Sequence, residues 1–280
     1  MKSSKDFASV LMLDGVALDA AQPNICATWP ALMRGEGIFE AFLVNDCTPP
    51  PMLADHAERL CLSASLTGFV VSPNDLISRL NEFLPLIAVG QWRVRCTLLR
   101  GENNEQHWLF SAGPEQPAPE SAVLSVSEFR LDPSSPLAGA KTISRISLQR
   151  ARVIAEQQGA YESIMLTTDG DIAEGTSTNI FLFANDKLLT PPLNRGILGG
   201  VTRQNILRAC QMAGIECHER IIELSELAAA DEVYISNAVI GIIPVTKILK
   251  IREDYPGVNG SKLIEIRHAY RSFIDSQLTR

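Results

Sequence analysis

Residues 169–181 read DGDIAEGTSTNIF. Asp169-Gly170 is turn chemistry, and Glu174 is followed by a glycine and small polar residues at the mouth of an apolar strand. Working outward, residues 163–167, 178–183 and 187–190 form short strand-like runs, separated by turns at 168–170 and 184–186. Downstream, Gly199-Gly200-Val201-Thr202 opens a helix that runs through Met212 to a cap at Gly214, and residues 232–236 and 242–245 return to strand. Upstream, residues 122–129 alternate as a strand and residues 147–158 form an amphipathic helix stopped by Gly159. Residues 112–120, AGPEQPAPE, interrupt this patterning and mark a domain boundary. Before it, residues 37–44 (GIFEAFLV) are strand-like and residues 52–66 carry apolar side chains at helical spacing. Residues 92–99 and 107–111 form a strand pair around the polar turn RGENNEQ. Strands and helices intermix without regular β-α-β alternation, so the expected class is α+β.

Composition narrows the function. The 280 residues are 46% apolar and 20% charged, a globular composition long enough for two domains. No stretch approaches the roughly 18 uncharged apolar residues of a membrane span, and the start MKSSKDFASVLML lacks a secretory pattern. A net charge of −7 without long blocks argues against a nucleic-acid partner and for a small molecule. Cys26, Cys47, Cys61, Cys96, Cys210 and Cys217 are scattered, without a CxxC pair, and read as thiols of a reducing, cytoplasmic compartment. His56, His107, His218 and His268 never fall at metal-ligand spacing, so no metal site is expected.

Three features could carry chemistry. Among seven lysines, Lys141 is the sole one between Lys5 and Lys187, and the small residues Ala138-Gly139-Ala140 before it would let a planar ligand approach its ammonium. A partly desolvated lysine can form a Schiff base with a carbonyl. Glu174 offers a carboxylate, and Gly199-Gly200-Val201-Thr202-Arg203 offers the backbone N–H groups of a helix start to an anion such as phosphate. Each alone is equally compatible with a solvated loop, a turn or an ordinary cap.

Their order, Lys141, then EGTSTNIF, then Pro191-Pro192, then GILGGVTR, resembles the fold type IV pyridoxal phosphate enzymes, also called aminotransferase class IV. That group includes branched-chain and D-amino acid aminotransferases and aminodeoxychorismate lyases. Gly35-Glu36-Gly37-Ile38-Phe39-Glu40 is similar to the family's GDGVFE strand and His56-Ala57-Glu58-Arg59-Leu60 to its HxxRL helix, and Ile243-Pro244-Val245 also matches. The resemblance spans nearly the whole chain. It implies the two-domain fold of the D-amino acid aminotransferases, pyridoxal 5′-phosphate as cofactor, and a homodimer. It also implies that Lys141 forms the internal aldimine and shuttles a proton, and that Glu174 faces the pyridine nitrogen. Arg59, Thr202 and the N–H groups of Val201 and Thr202 would hold the phosphate, with Asn237 and Ala238 nearby.

The substrate is less constrained. Arg93 and Arg95 share a strand face by the period of two, which is costly unless the face meets anions. An Arg34 plus Arg95 carboxylate clamp resembles a less common group of D-amino acid aminotransferases. Glu105-Gln106-His107 keeps the histidine of the commoner Arg-x-His pair and loses its arginine. Ser144-Arg145 and Ser236-Asn237-Ala238-Val239 resemble lyase segments, whereas Glu105 stands where a lyase arginine is expected. No tyrosine stands near Ser144-Arg145-Ile146, where branched-chain enzymes usually place one. The resulting order is an aminotransferase acting on an amino acid, D-amino acids favoured, and a 2-oxo acid. An aminodeoxychorismate lyase releasing pyruvate and 4-aminobenzoate comes next, then a branched-chain aminotransferase. The expected layout is a smaller α+β domain over residues 1–118, supplying Arg34, Arg59 and Arg95, and a larger one over 119–280, supplying Lys141, Glu174 and Thr202.

Overall fold

The computed structural model describes residues 9–114 and 117–278. The first eight residues of the start read above, and Glu115 and Gln116 within the Pro-rich break, lie outside the described residues. The chain divides into two compact units, one within Met1–Gln116 together with Ala140–Ser144, the other within Pro117–Gly139 together with Arg145–Arg280.

The first unit contains β1 (Val10–Leu13), β2 (Val16–Leu18), α1 (Pro30–Arg34), β3 (Gly37–Asn45), α2 (Leu53–Thr67), α3 (Pro73–Phe83), β4 (Gln91–Arg100) and β5 (Gln106–Pro114). Its strands form one antiparallel sheet in the order β2-β1-β5-β4-β3. Alternation sorts the side chains: Ile38, Phe42, Val44, Val94, Cys96, Leu98, Phe110 and Met12 are buried together with Leu60 of α2 and Leu76, Leu80 and Phe83 of α3. Phe83 and Phe110 meet at 5.4 Å between ring centroids, and each such side chain removed from water stabilises by about 1.5–3 kcal/mol. The opposite face carries Phe39, Ala41, Arg93, Arg95 and Thr97, with both arginines half-buried.

In the sequence reading Lys141 belongs to the larger, C-terminal domain. Residues 140–144 instead pack with the first unit, because the outer edge of β3 needs backbone partners. Phe39 N donates to Lys141 O (2.9 Å), Ile143 N donates to Gly37 O (2.9 Å), and Ile38 pairs with Thr142 in an antiparallel bridge.

The second unit contains β6 (Ala122–Leu131), α4 (Ile146–Gln157), β7 (Glu162–Thr167), β8 (Ile172–Gly175), β9 (Asn179–Ala184), β10 (Lys187–Thr190), α5 (Val201–Met212), β11 (Cys217–Glu219), α6 (Glu226–Ala229), β12 (Glu232–Asn237), β13 (Gly241–Ile248) and α7 (Ser261–Leu278). The sheet runs β11-β10-β9-β12-β13-β6-β7-β8. It is mixed: α4 connects parallel β6 and β7, and α5 connects parallel β10 and β11, while β9, β12 and β13 pair antiparallel. Both faces are covered, which is why β9 is apolar from Ile180 to Ala184. Ile180 and Leu182 join one core with Leu124, Ile164, Ile235 and Val245, and Phe181 and Phe183 join another with Ile206 of α5 and Leu263 and Ile266 of α7. Among the described residues no helix is long and apolar enough to cross a membrane.

Candidate active site

In the first unit the site grows from the edge pairing of β3. Lys141 lies opposite Phe39 and its backbone N–H donates to Ser63 Oγ (3.0 Å), a hydroxyl fully buried on α2. Lys141 Nζ lies 4.6 Å and Arg95 Cζ 3.6 Å from the centroid of the Phe39 ring. One aromatic ring therefore seats both cations. Arg95 Nε also donates to Thr97 Oγ1 (3.2 Å).

Below that ring, on the buried face, Glu40 is enclosed by α2. Arg59 donates from Nε to Glu40 Oε1 (2.8 Å) and from Nη2 to Oε2 (2.6 Å), and His56 Nδ1 donates to Oε2 (2.8 Å). Burial by itself would push the Glu40 carboxyl up, but the Arg59 charge and the bonds from Arg59 and His56 outweigh it and hold the group well below the usual carboxylate range. Burial lowers the His56 pKa in spite of the bond to Glu40, so at neutral pH the pair is Glu40 carboxylate against Arg59 guanidinium, with His56 neutral. His56, Arg59 and Ser63 share one face of α2, spaced three and four apart. One helix thus locates a guanidinium and the lysine backbone together.

In the second unit Glu174 is the penultimate residue of β8. Its Oε2 accepts from Asn179 Nδ2 (3.1 Å) and from Leu198 N (3.1 Å), and Asn179 Nδ2 also donates to Leu198 O (3.0 Å). These bonds tie the carboxylate to the loop that opens α5. Gly200 is the N-cap of α5 and no side chain caps it, so the N–H groups of Val201, Thr202 and Arg203 have no intrahelical acceptor. A Cβ at position 200 would collide with Asn179 Oδ1, which is the physical reason for glycine there. Thr202 is buried and hydrogen-bonds Tyr270 of α7, whose own pKa is raised by burial against that bond. On β12, directly opposite Asn179, the fully buried Ser236 Oγ has no hydrogen-bond partner among the described residues.

Other residues singled out from sequence have local engagements. Asn237 Oδ1 accepts from Val239 N (2.8 Å) and Ile240 N (2.9 Å), and its Nδ2 donates to Ser177 O (3.1 Å), so its side chain shapes the β12–β13 turn, with Ala238 at the tip half-buried. Exposed Arg34 pairs with Glu36 (2.6 Å). Arg93 lies between Leu43 and Gly113 in register. His107 stacks on Trp29 with ring centroids 4.0 Å apart and holds Asp14 at 2.7 Å. Sequence reasoning named Asn179 and Ser236 only as members of longer motifs and did not single out Ser63, Tyr270 or the buried Glu162. A lone acid opening the apolar run ESIMLT, and one inside GIFEAFLV, were the available signals.

The sequence model of the family described as Amino-transferase class IV matches residues 37–248. The chain is 29% identical over 266 residues to an aminodeoxychorismate lyase of Bacillus subtilis, covering 88% of each chain. It is 27% identical over 227 residues to a D-alanine aminotransferase of Bacillus licheniformis, covering 76% of this chain and 79% of that one. Its fold is similar to the crystal structure of a branched-chain aminotransferase from Thermoproteus uzoniensis with norvaline, with a TM-score of 0.86, 25% identity and 96% of each chain covered.

Proposed function

The chain belongs to the amino-transferase class IV family, and from that premise we propose that it is a pyridoxal 5′-phosphate-dependent aminotransferase moving an amino group between an amino acid, D-amino acids first, and a 2-oxo acid. When bound, the cofactor supplies an electron sink for the charge left as the substrate Cα loses its proton. The residues fit such a group. An uncapped helix start suits a phosphate, a buried hydroxyl on Ser236 lacks a partner, and a carboxylate at Glu174 is oriented by an amide and a backbone N–H. Lys141 would hold the cofactor through its amine and would serve as the base that takes the proton from the substrate Cα. Glu174 would hold the proton on the pyridine nitrogen, and Arg59 and the N–H groups of Val201 and Thr202 would be phosphate ligands, with Asn237, Ala238 and the Ser236 hydroxyl as further candidates. We read the working form as a cytoplasmic homodimer, on the strength of the family resemblance.

The observation that carries this reading is the Phe39 ring with Lys141 and Arg95 both upon it. A cation fixed beside the amine meets the carboxylate of an α-amino acid, whose amine and carboxylate are two bonds apart across Cα. Arg93 lies on the same sheet face and adds a guanidinium to this lining, His107 on that face is a further candidate substrate contact, and Arg34 is the candidate for a second carboxylate contact. Purified protein reconstituted with pyridoxal phosphate should show a visible or near-ultraviolet absorption band, and Lys141→Ala should abolish covalent attachment of the cofactor. A wild-type protein that stays colourless overturns the reading.

Aminodeoxychorismate lyase is the second reading, supported by the 29% identity to one and by Ser144-Arg145. Holoenzyme mixed with D-alanine, D-glutamate, L-leucine or aminodeoxychorismate separates the alternatives. A transaminase converts its band to the pyridoxamine form and needs a 2-oxo acid to recover. Pyruvate release without that form establishes the lyase, and conversion by L-leucine alone establishes the branched-chain activity.

A further inference from the structure

Glu162, the first residue of β7, is fully buried and gathers a whole loop around one carboxylate. Its Oε1 accepts from Ser163 N (2.8 Å), Thr176 N (3.0 Å) and Thr176 Oγ1 (2.5 Å). Its Oε2 accepts from Ser177 N (3.2 Å), Ser177 Oγ (2.8 Å), Thr178 Oγ1 (3.4 Å) and Arg152 Nη1 (3.4 Å). All of these partners donate, a requirement that a carboxylate meets and an amide cannot, because an amide turns an NH2 group toward donors on one side. The loop is also clamped from outside, where Arg145 Nη2 donates to Thr176 O (2.6 Å) and Asn237 Nδ2 donates to Ser177 O (3.1 Å). At its first residue, Gly175, a Cβ would collide with Thr178 Oγ1.

The position of this loop matters more than its rigidity. Residues 175–178 are the whole connection between Glu174 and Asn179, the residue that bonds Glu174. We propose that Glu162 is a positioning residue for the cofactor ring: its buried carboxylate fixes the loop 175–178 and through it sets where the Glu174 carboxylate stands against the pyridine nitrogen. The inference rests on the aminotransferase reading above. Glu162 touches neither cofactor nor substrate in this account, and its influence passes through the backbone of four residues.

The test compares Glu162→Gln, Glu174→Gln and the double variant as reconstituted holoenzymes. Amide hydrogen exchange at Thr176 and Ser177 should accelerate in Glu162→Gln, a readout independent of turnover. The pH titration of the cofactor band should move in the same direction as in Glu174→Gln. The half-reaction should slow about 10–100-fold in kcat, with KM changed less than about threefold. The double variant should be no slower than Glu174→Gln alone, because both act on one contact. Additive losses, or an unmoved titration accompanied only by lower stability, overturn the positioning role and leave Glu162 a structural staple. Should Glu162→Gln fail to fold, Ser177→Ala removes a single donor to the same carboxylate and should give a smaller shift of the same sign, no shift counting against the proposal. The two readings fail separately: a colourless wild type ends the aminotransferase assignment, whereas a coloured wild type with an unperturbed Glu162→Gln ends only this one.

Discussion

Replacing Glu40 by glutamine should cost the first unit about 3 kcal/mol. The carboxylate is fully buried and takes two bonds from Arg59, at 2.6 and 2.8 Å, and one from His56. Two unit charges about 4 Å apart attract by about 4 kcal/mol at an effective dielectric constant of about 20. Removing one partner of a buried pair strands the other, a loss of about 3–5 kcal/mol. Arg59 is itself only 9% exposed, so water repairs little of that loss. Glutamine keeps one acceptor for the guanidinium, and neutral His56 can change tautomer to accept from the new amide, which places the expected value at the lower end. Urea unfolding of the cofactor-free protein, followed by tryptophan fluorescence, measures it. With a slope of about 2 kcal/mol per molar, the midpoint should fall by about 1.5 M. The double variant Glu40→Leu with Arg59→Met should recover most of the lost stability while losing phosphate affinity. A Glu40→Gln midpoint within about 0.3 M of wild type would refute the claim that this pair is buried charge against buried charge.

Three further outcomes follow from the same geometry. Arg95→Ala should lower donor kcat/KM about 10–100-fold in the half-reaction while leaving the cofactor band intact, and an unchanged donor response removes Arg95 from the substrate site. Gly200→Ala should push Asn179 from its seat and weaken cofactor binding, with an overpacking loss of about 1–3 kcal/mol read as a raised Kd for pyridoxal phosphate. His56 has its pKa lowered by burial from 6.5, so the unfolded chain binds a proton that the native state refuses. Stability should therefore be complete above about pH 6.5 and decline as pH falls below it. His56→Asn should flatten that slope in urea titrations between about pH 5 and 7, and an equally steep slope in the variant would assign it to other groups.

Much of this was legible in the chain. The strand of residues 37–44, the hairpin around RGENNEQ and the helix opening at Gly199 carry periodicity and turn chemistry strong enough to place their starts within two residues and their ends within three. Other elements had signals that went unread. Ser72 and Asp75 form a capping box at the start of α3, and Leu263, Ile266, Ala269 and Phe273 trace the apolar stripe of α7. Lys141 shows a different limit. Its residue type and small neighbours marked it, but its place beside Phe39 depends on an edge pairing between residues about a hundred positions apart, which no local pattern encodes. The same holds for Glu162, whose seven donors come mostly from a loop that the sequence presents simply as small and polar.

The pairing of residues 140–144 along the outer edge of β3 has a consequence for solubility. An unpaired strand edge is a template on which other chains can add, and natural sheets cover or interrupt such edges. Here the cover is the segment that bears Lys141, the lysine proposed to attach the cofactor. Substitutions that loosen it, such as proline at Ile143, whose N–H donates to Gly37 O, should release an apolar strand edge as well as displace the amine. Variants selected for poor soluble expression and variants selected for lost turnover should then converge on these five positions, so activity measured without a soluble-yield control would misassign the defect.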